Sequence, residues 1–280
     1  MQKAPTGMVV AVTGGAQGIG REIARQLARA GAHVAIGDRD LDAAKATAQQ
    51  LPGDVAAFHL DVTDTASFTA FIRAVDERWG MIDVLVNNAG VMWVGPFEAE
   101  PDTAAQRQVD VNLLGVIRGV KLAAPAMRER GRGQIITIAS GASKLAPAGE
   151  ATYAATKHAV YGYLNAVRTE LHGSGVQLSL ILPGVVDTEL AAGTVTGPVR
   201  RLVPADVAHA VLAVIKRPRF EISLPARMGL VARLAALLPD RARFRLLRAV
   251  VPNQVAAVTD KAVRQAYENR AVTEIDRSSQ

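Results

Sequence analysis

The sequence predicts a doubly wound α/β fold built on a parallel sheet, and three observations carry that expectation. Short β-branched apolar runs alternate with longer amphipathic stretches through the first 225 residues. The runs are near-continuously apolar rather than alternating, as strands covered by helices on both faces are. The first run leads straight into a glycine-rich turn that opens a helix. Right-handed crossovers between such strands distribute the helices over both faces of one sheet.

Taken in order, the strand runs are Met8–Thr13, His33–Gly37, Val55–Leu60, Val84–Asn87, Gln134–Ala139, Val176–Leu182 and Phe220–Leu224. Helical patterns fill the gaps at about 19–30, 41–51, 65–79, 101–129, 151–173 and 204–217. No linker rich in Pro, Gly or Ser interrupts residues 1–225, so they read as one domain. Residues 226–280 follow another pattern and read as a helical, basic extension. Leu230, Val231, Leu234, Leu237 and Leu238 form the apolar side of one helix, which Pro239 ends. A second helix sets Phe244, Leu247 and Val251 against Arg241, Arg245 and Arg248, and a third runs from about Gln254 to Arg270.

Composition narrows the functional classes. Of 280 residues, 49% are hydrophobic and 21% charged, which excludes a disordered or low-complexity chain. With no cysteine, disulfides, thiolate metal sites and a Cys nucleophile are excluded. His33, His59, His158, His172 and His209 have no ligand spacing, so no metal is expected. The start of the chain lacks an apolar signal segment, and no uncharged apolar run of about 18 residues follows, so a cytoplasmic placement is expected. The net charge of +6 is not spread evenly. Residues 1–215 hold 19 basic and 20 acidic side chains, whereas residues 216–251 hold 9 and 2. The basic residues lie in two leucine-rich helices without a recognition motif, so no nucleic-acid partner is expected.

Several residue sets carry chemistry. Gly14, Gly18 and Gly20, with Gln17 and Ile19 between them, lie where a strand turns into a helix. Glycines there let a pyrophosphate approach the backbone, and the helix N-terminus supplies free N–H groups and a positive dipole end. Asp38, at the end of the second strand, can accept both ribose hydroxyls of an adenosine and repels a 2′-phosphate, which favours NAD. Arg39 beside it can tolerate that phosphate, so NADP stays open. Tyr153 and Lys157 share one helix face at i, i+4. A neighbouring ammonium favours the phenolate and makes tyrosine a plausible base. Ser140 ends the fifth strand on the ligand side, with Ser143 as a local competitor. Asn88, Ala89 and Gly90 end the fourth strand, where small residues admit a flat ring. Asn112 is an amide in mid-helix, either functional or a helix-distorting polar residue.

These motifs together resemble the short-chain dehydrogenase/reductase family over about residues 1–225. The matching features are Thr13-Gly14-x3-Gly18-x-Gly20, Asp61-Val62, Asn87-Asn88-Ala89-Gly90, Asn112, Ser140, Tyr153-x3-Lys157 and Pro183-Gly184-x3-Thr188, all in the family's order. The resemblance implies a Rossmann sheet and reversible hydride transfer between a nicotinamide cofactor and an alcohol or carbonyl. It implies Tyr153 as general acid/base, Lys157 lowering its pKa and holding the nicotinamide ribose, Ser140 on the reacting oxygen, and Asn112 positioning a relay water. It further places Asp61 and Val62 at adenine, Asn88 beside the ribose, Ala89 and Gly90 against the cofactor, and Val186 and Thr188 at the carboxamide and diphosphate. Subunit-contact helices of the family correspond to 101–129 and 151–173, so a homodimer or homotetramer is expected.

The extension is weakly similar to the retinol- and 17β-hydroxysteroid-dehydrogenase-like branch, whose substrates are lipophilic. A lining of Met92, Trp93, Val94, Leu145, Pro147 and Leu190 would suit such an alcohol or ketone. For the extension itself three roles stand open: a lid on that pocket, a subunit contact, or peripheral contact with a membrane surface through residues 227–251. The alternative to an enzyme is a catalytically idle cofactor-binding sensor or scaffold.

Overall fold

β1 (Val9–Thr13) is buried along its whole length, as its unbroken apolar run requires. The chain continues through α1 (Gly18–Arg29), β2 (His33–Asp38), α2 (Leu41–Gln50), β3 (Val55–His59), α3 (Thr65–Trp79) and β4 (Val84–Asn87). α4 (Asp102–Gln108), α5 (Gly115–Glu129), β5 (Gly133–Ile138), α6 (Ala151–Glu170), β6 (Val176–Pro183), α7 (Pro204–Lys216) and β7 (Glu221–Leu224) follow. The tail is α8 (Ala226–Ala236), α9 (Asp240–Val250), α10 (Gln254–Ala257) and α11 (Lys261–Glu268). This computed structural model describes residues 5–196, 200–258 and 261–273.

The seven strands form one sheet in the order β3-β2-β1-β4-β5-β6-β7, and every pairing is parallel. After β3 the chain crosses back to the other side of β1 to form β4. That reversal opens a crevice at the carboxyl ends of β1 and β4, the place where such sheets bind ligands. Alternate residues of each strand supply two cores. Val9 and Ala11 face Phe68, Phe71, Val120 and Val160, while Val10 and Val12 face Ile23, Leu27 and Val211. Phe68 and Phe71 are almost wholly buried, and each such side chain contributes roughly 1.5–3 kcal/mol. Asp40 and Asp64 cap α2 and α3 by accepting backbone N–H bonds from their first turns.

Two expectations are corrected by the fold. The helix read over 101–129 is two helices, α4 and α5, joined by a π-helical stretch at Val109–Leu114 that contains Asn112. A π turn inserts one residue without interrupting helical hydrogen bonding, so apolar periodicity runs through it unmarked. The apolar side of the first tail helix faces outward: Leu230, Leu234 and Leu237 are 58%, 54% and 82% exposed. α8 instead lays Gly229 on β7, where an added Cβ would come within 2.5 Å of the Ser223 hydroxyl. Close approach to the sheet selects the small-residue side over the leucine side. α9 buries none of its side chains fully. No helix among the described residues is long and apolar enough to cross a membrane.

Candidate active site

The glycine turn is built for close backbone approach. Gly14 and Gly18 have φ of +64° and +56°, a region that side chains with a Cβ rarely adopt. A Cβ on Gly14 would lie 2.9 Å from the Ala89 Cα, and one on Gly20 would collide with the Gly14 carbonyl oxygen. Gly20 therefore lets α1 press against the turn and is not itself on the crevice surface. The Asn88 side-chain amide donates to the carbonyls of Thr13 and Gly14 at 2.9 and 3.0 Å. In return the Thr13 hydroxyl accepts from the backbone N–H groups of Asn88 and Ala89, each at 3.0 Å. The ends of β1 and β4 are thus tied together. No side chain caps α1, whose preceding residue Gln17 is extended. Its first-turn N–H groups and dipole end form a ready seat for a diphosphate.

At the far end of the crevice, Asp38 accepts from the Ala16 and Asp40 N–H groups at 3.0 and 3.2 Å. Burial pushes its carboxyl above the usual carboxylate range despite those bonds. Asp61 accepts from the N–H and hydroxyl of Thr63 at 2.8 and 2.7 Å. Burial works upward on Asp61 as well, but the Thr63 bonds and the charges of Arg107 and Arg39 outweigh it and hold it below the usual range.

At the other end stand Ser140, Tyr153 and Lys157. The Ser140 oxygen follows β5, accepts from the Ala142 N–H at 3.1 Å and is hydrogen-bonded to the Tyr153 hydroxyl. Lys157 places its Nζ 5.4 Å from the centre of the Tyr153 ring. Burial, and then the charge of Glu150, push the Tyr153 hydroxyl above its ordinary value; the Ser140 bond and the Arg264 charge pull it down. Burial alone lowers Lys157 to about 8. Asn112 is wholly buried behind this group. Its amide grips the Val91 main chain, donating to the carbonyl at 2.8 Å and accepting from the N–H at 2.9 Å, and also donates to the Thr156 hydroxyl at 3.3 Å. Ser143 is buried and does not line the crevice.

Every residue assigned to catalysis or to the cofactor in the sequence except Gly20 and Asn112 lines one crevice of about 330 Å³, with Pro183, Gly184, Val186 and Thr188 following β6 along it. A nicotinamide dinucleotide fits these residues: glycines where a Cβ would block the diphosphate, uncapped helix amides, carboxylates at the adenosine end, and a hydroxyl pair at the reactive end. Comparison with known proteins agrees. A family model described as short chain dehydrogenase matches residues 8–197. The chain belongs to that family.

A 3-alpha-(or 20-beta)-hydroxysteroid dehydrogenase of Mycobacterium tuberculosis is 39% identical over 184 residues, 66% of this chain and 71% of the relative. Glycine betaine reductase of Emericella nidulans is 33% identical over 226 residues, which are 76% of this chain but only 18% of that relative. Among solved structures, an alcohol dehydrogenase of the archaeon Thermococcus sibiricus complexed with 5-hydroxy-NADP superposes with a TM-score of 0.70 at 30% identity, covering 77% of this chain and 95% of the other. This short-chain dehydrogenase is thus an NAD(P)-dependent oxidoreductase acting on CH–OH groups, with the Rossmann sheet of its relatives.

The substrate side of this short-chain dehydrogenase differs from the expected lining. Met92 and Leu190 line the crevice, whereas Trp93, Val94, Leu145 and Pro147 do not. Val94 and Trp93 are packed into the apolar clusters beneath it. The tail supplies wall residues that sequence reasoning missed, Tyr267 and Ala271. Arg264, only 2% exposed, anchors them: it pairs with Glu268 at 2.5 Å and donates to the carbonyls of Leu190, at 2.7 Å, and Met92. Glu268 also accepts from the Val94 N–H at 2.9 Å. The bonds to Leu190, Met92 and Val94 join residues more than 70 positions apart, so no local pattern announces them. The basic helices α8 and α9 contribute no wall residue. Glu150, Arg107 and Val111, also unanticipated, line it too.

Proposed function

We propose that the protein is an NAD-preferring dehydrogenase/reductase for lipophilic alcohols and their ketones or aldehydes. The observation that carries this reading is the convergence of Ser140, Tyr153 and Lys157 at the apolar end of the crevice, with Met92, Leu190 and Tyr267 around them. When bound, the nicotinamide supplies the hydride acceptor for oxidation or the donor for reduction. Ser140 hydrogen-bonds the reacting oxygen and fixes its position. Tyr153 takes the hydroxyl proton in oxidation and returns it in reduction. Lys157 holds the nicotinamide ribose and favours the phenolate, and Asn112 acts through the Gly90–Val91 turn as a positioning residue. Gly14, Gln17, Gly18 and Ile19 seat the diphosphate, Asp61 and Val62 flank adenine, and Asn88, Ala89 and Gly90 shape the floor.

Asp38 supports the NAD preference, because its carboxylate opposes a 2′-phosphate. We place the domain boundary near residue 225, with 226–280 as an extension whose last helix is a lid. The reading includes a homodimer or homotetramer, and a cytoplasmic protein that touches anionic membrane surfaces through residues 227–251. The deciding experiment is Tyr153→Phe. NADH binding, followed by fluorescence, should stay within a few-fold of wild type while alcohol oxidation falls by at least about a thousandfold, the upper part of the usual general-acid/base contribution. Normal turnover in that variant would refute the mechanism. Absence of turnover in the wild type across an alcohol panel would favour an idle cofactor-binding sensor.

A further inference from the structure

Glu150 is a carboxyl without a partner at the reactive end of the crevice. It stands at the N-cap of α6, yet its side chain does not cap the helix. It is 93% buried by exposure of 7%, and no described residue donates a hydrogen bond to it. Arg264 acts on it through charge alone, since its guanidinium nitrogens already serve Glu268, Leu190 and Met92. The carboxyl lines the crevice together with Tyr153, Ser140 and Tyr267. Glu150 and Tyr153 are three apart at the start of α6, and residues so spaced on a helix are neighbours. Its oxygens are not sealed in the core but open on the crevice, where a ligand group can reach them.

We propose that Glu150 is a substrate-recognition residue, and that the substrate carries a second hydroxyl on the carbon next to the reacting carbinol or one beyond it. The second hydroxyl donates to the Glu150 carboxylate while the reacting oxygen lies on Ser140 and Tyr153. This inference rests on the dehydrogenase reading and narrows its substrate class to lipophilic diols and the corresponding hydroxyketones. It also accounts for a carboxylate placed where its charge opposes ionisation of Tyr153: the bound hydroxyl stabilises that charge and makes the site complete only with the right substrate.

The pH dependence has a defined sign. Burial raises Glu150 to about 7, and the ionised form is the stronger hydrogen-bond acceptor. Preference for a diol over its mono-alcohol therefore rises as pH passes from 6 to 8. Comparing two substrates on one enzyme cancels the titration of Tyr153, which both share.

The test uses the full chain with NAD⁺ and paired substrates, cyclohexanol against cyclohexane-1,2-diol and 2-octanol against octane-2,3-diol. In wild type, kcat/KM should favour the diol of at least one pair by at least about tenfold, the scale of one charge-assisted hydrogen bond. Glu150→Leu should abolish that preference, and Glu150→Gln, of nearly the same shape, should keep part of it while losing its rise with pH. Retained NADH binding shows that each variant is folded. An unchanged preference in Glu150→Leu overturns the inference. So does oxidation of mono-alcohols with no advantage for either diol, an outcome that leaves the dehydrogenase reading standing. No turnover of any substrate overturns both.

Discussion

In the proposed reading, Asp38 serves structure and cofactor selectivity at once. Its two oxygens accept from Ala16 and Asp40, so it braces the glycine turn while facing the adenosine end of the crevice. Replacing it by alanine removes the charge that opposes a 2′-phosphate and leaves Arg39 in place. Asp38→Ala should weaken both cofactors but shift the NADP-to-NAD ratio of kcat/KM by at least about tenfold towards NADP, equivalent to about 1.4 kcal/mol. Steady-state kinetics with each cofactor measures it, and an unchanged ratio would remove the basis for an NAD preference. At this scale the sequence was largely readable. The Tyr153-x3-Lys157 spacing and the glycine turn are local and depend on helix geometry and φ alone. Glu150 was not readable, because a glutamate one turn before a tyrosine ordinarily lies on a solvated face. Its burial is tertiary: α10 lies against the neighbouring Gly149, and the Gln254 N–H donates to the Ala148 carbonyl.

Among elements, α11 makes the largest difference to the site. Its Arg264–Glu268 pair is almost completely buried, at 3% and 12% side-chain exposure, and breaking such a pair by removing one partner costs about 3–5 kcal/mol. Because the pair holds α11 to the 92–94 and 190 segments, that cost falls on local docking of the tail. Arg264→Ala should expose residues 261–273 to limited proteolysis and raise KM for substrate several-fold, with NADH affinity little changed. Protection equal to wild type would show that α11 is held by other contacts. The π-helical stretch between α4 and α5 is the second feature the sequence hides. It was read as plain helix, since the apolar pattern continues across it, although an amide in mid-helix at Asn112 was the one local sign of something unusual.

Over the whole molecule, charge and fold separate cleanly. The acidic and basic residues of 1–215 nearly cancel, and the excess lies in 216–251. Of the two acidic residues there, Glu221 is already engaged by Lys144 at 2.6 Å and Arg233 at 3.5 Å. α8 and α9 therefore present Arg241, Arg243, Arg245 and Arg248 beside exposed Leu237 and Phe244. Each arginine near an anionic surface contributes about 1 kcal/mol. The protein should co-sediment with phosphatidylserine-containing vesicles at low salt and not with phosphatidylcholine vesicles. Alanine at these four arginines should abolish the binding without loss of alcohol oxidation, since α9 buries none of its side chains fully. Equal binding by the variant would sink the membrane reading.

The order of strands and helices and the glycine turn follow from the amino-acid sequence by itself, because they depend on periodicity and backbone freedom, whereas the roles of Ser140, Tyr153 and Lys157 come from the resemblance of all the motifs together. The sequence also locates the charge. Tertiary structure alone decided which part of the tail lines the crevice. The leucine-rich helix that looked like a packing element turns its apolar side outward because Gly229 allows closer contact with β7. The short α11 brings Tyr267 to the crevice wall and is held by hydrogen bonds to backbone carbonyls far away in sequence. Such contacts are chosen by shape and by the need to satisfy buried polar groups, and neither leaves a periodic trace in the chain.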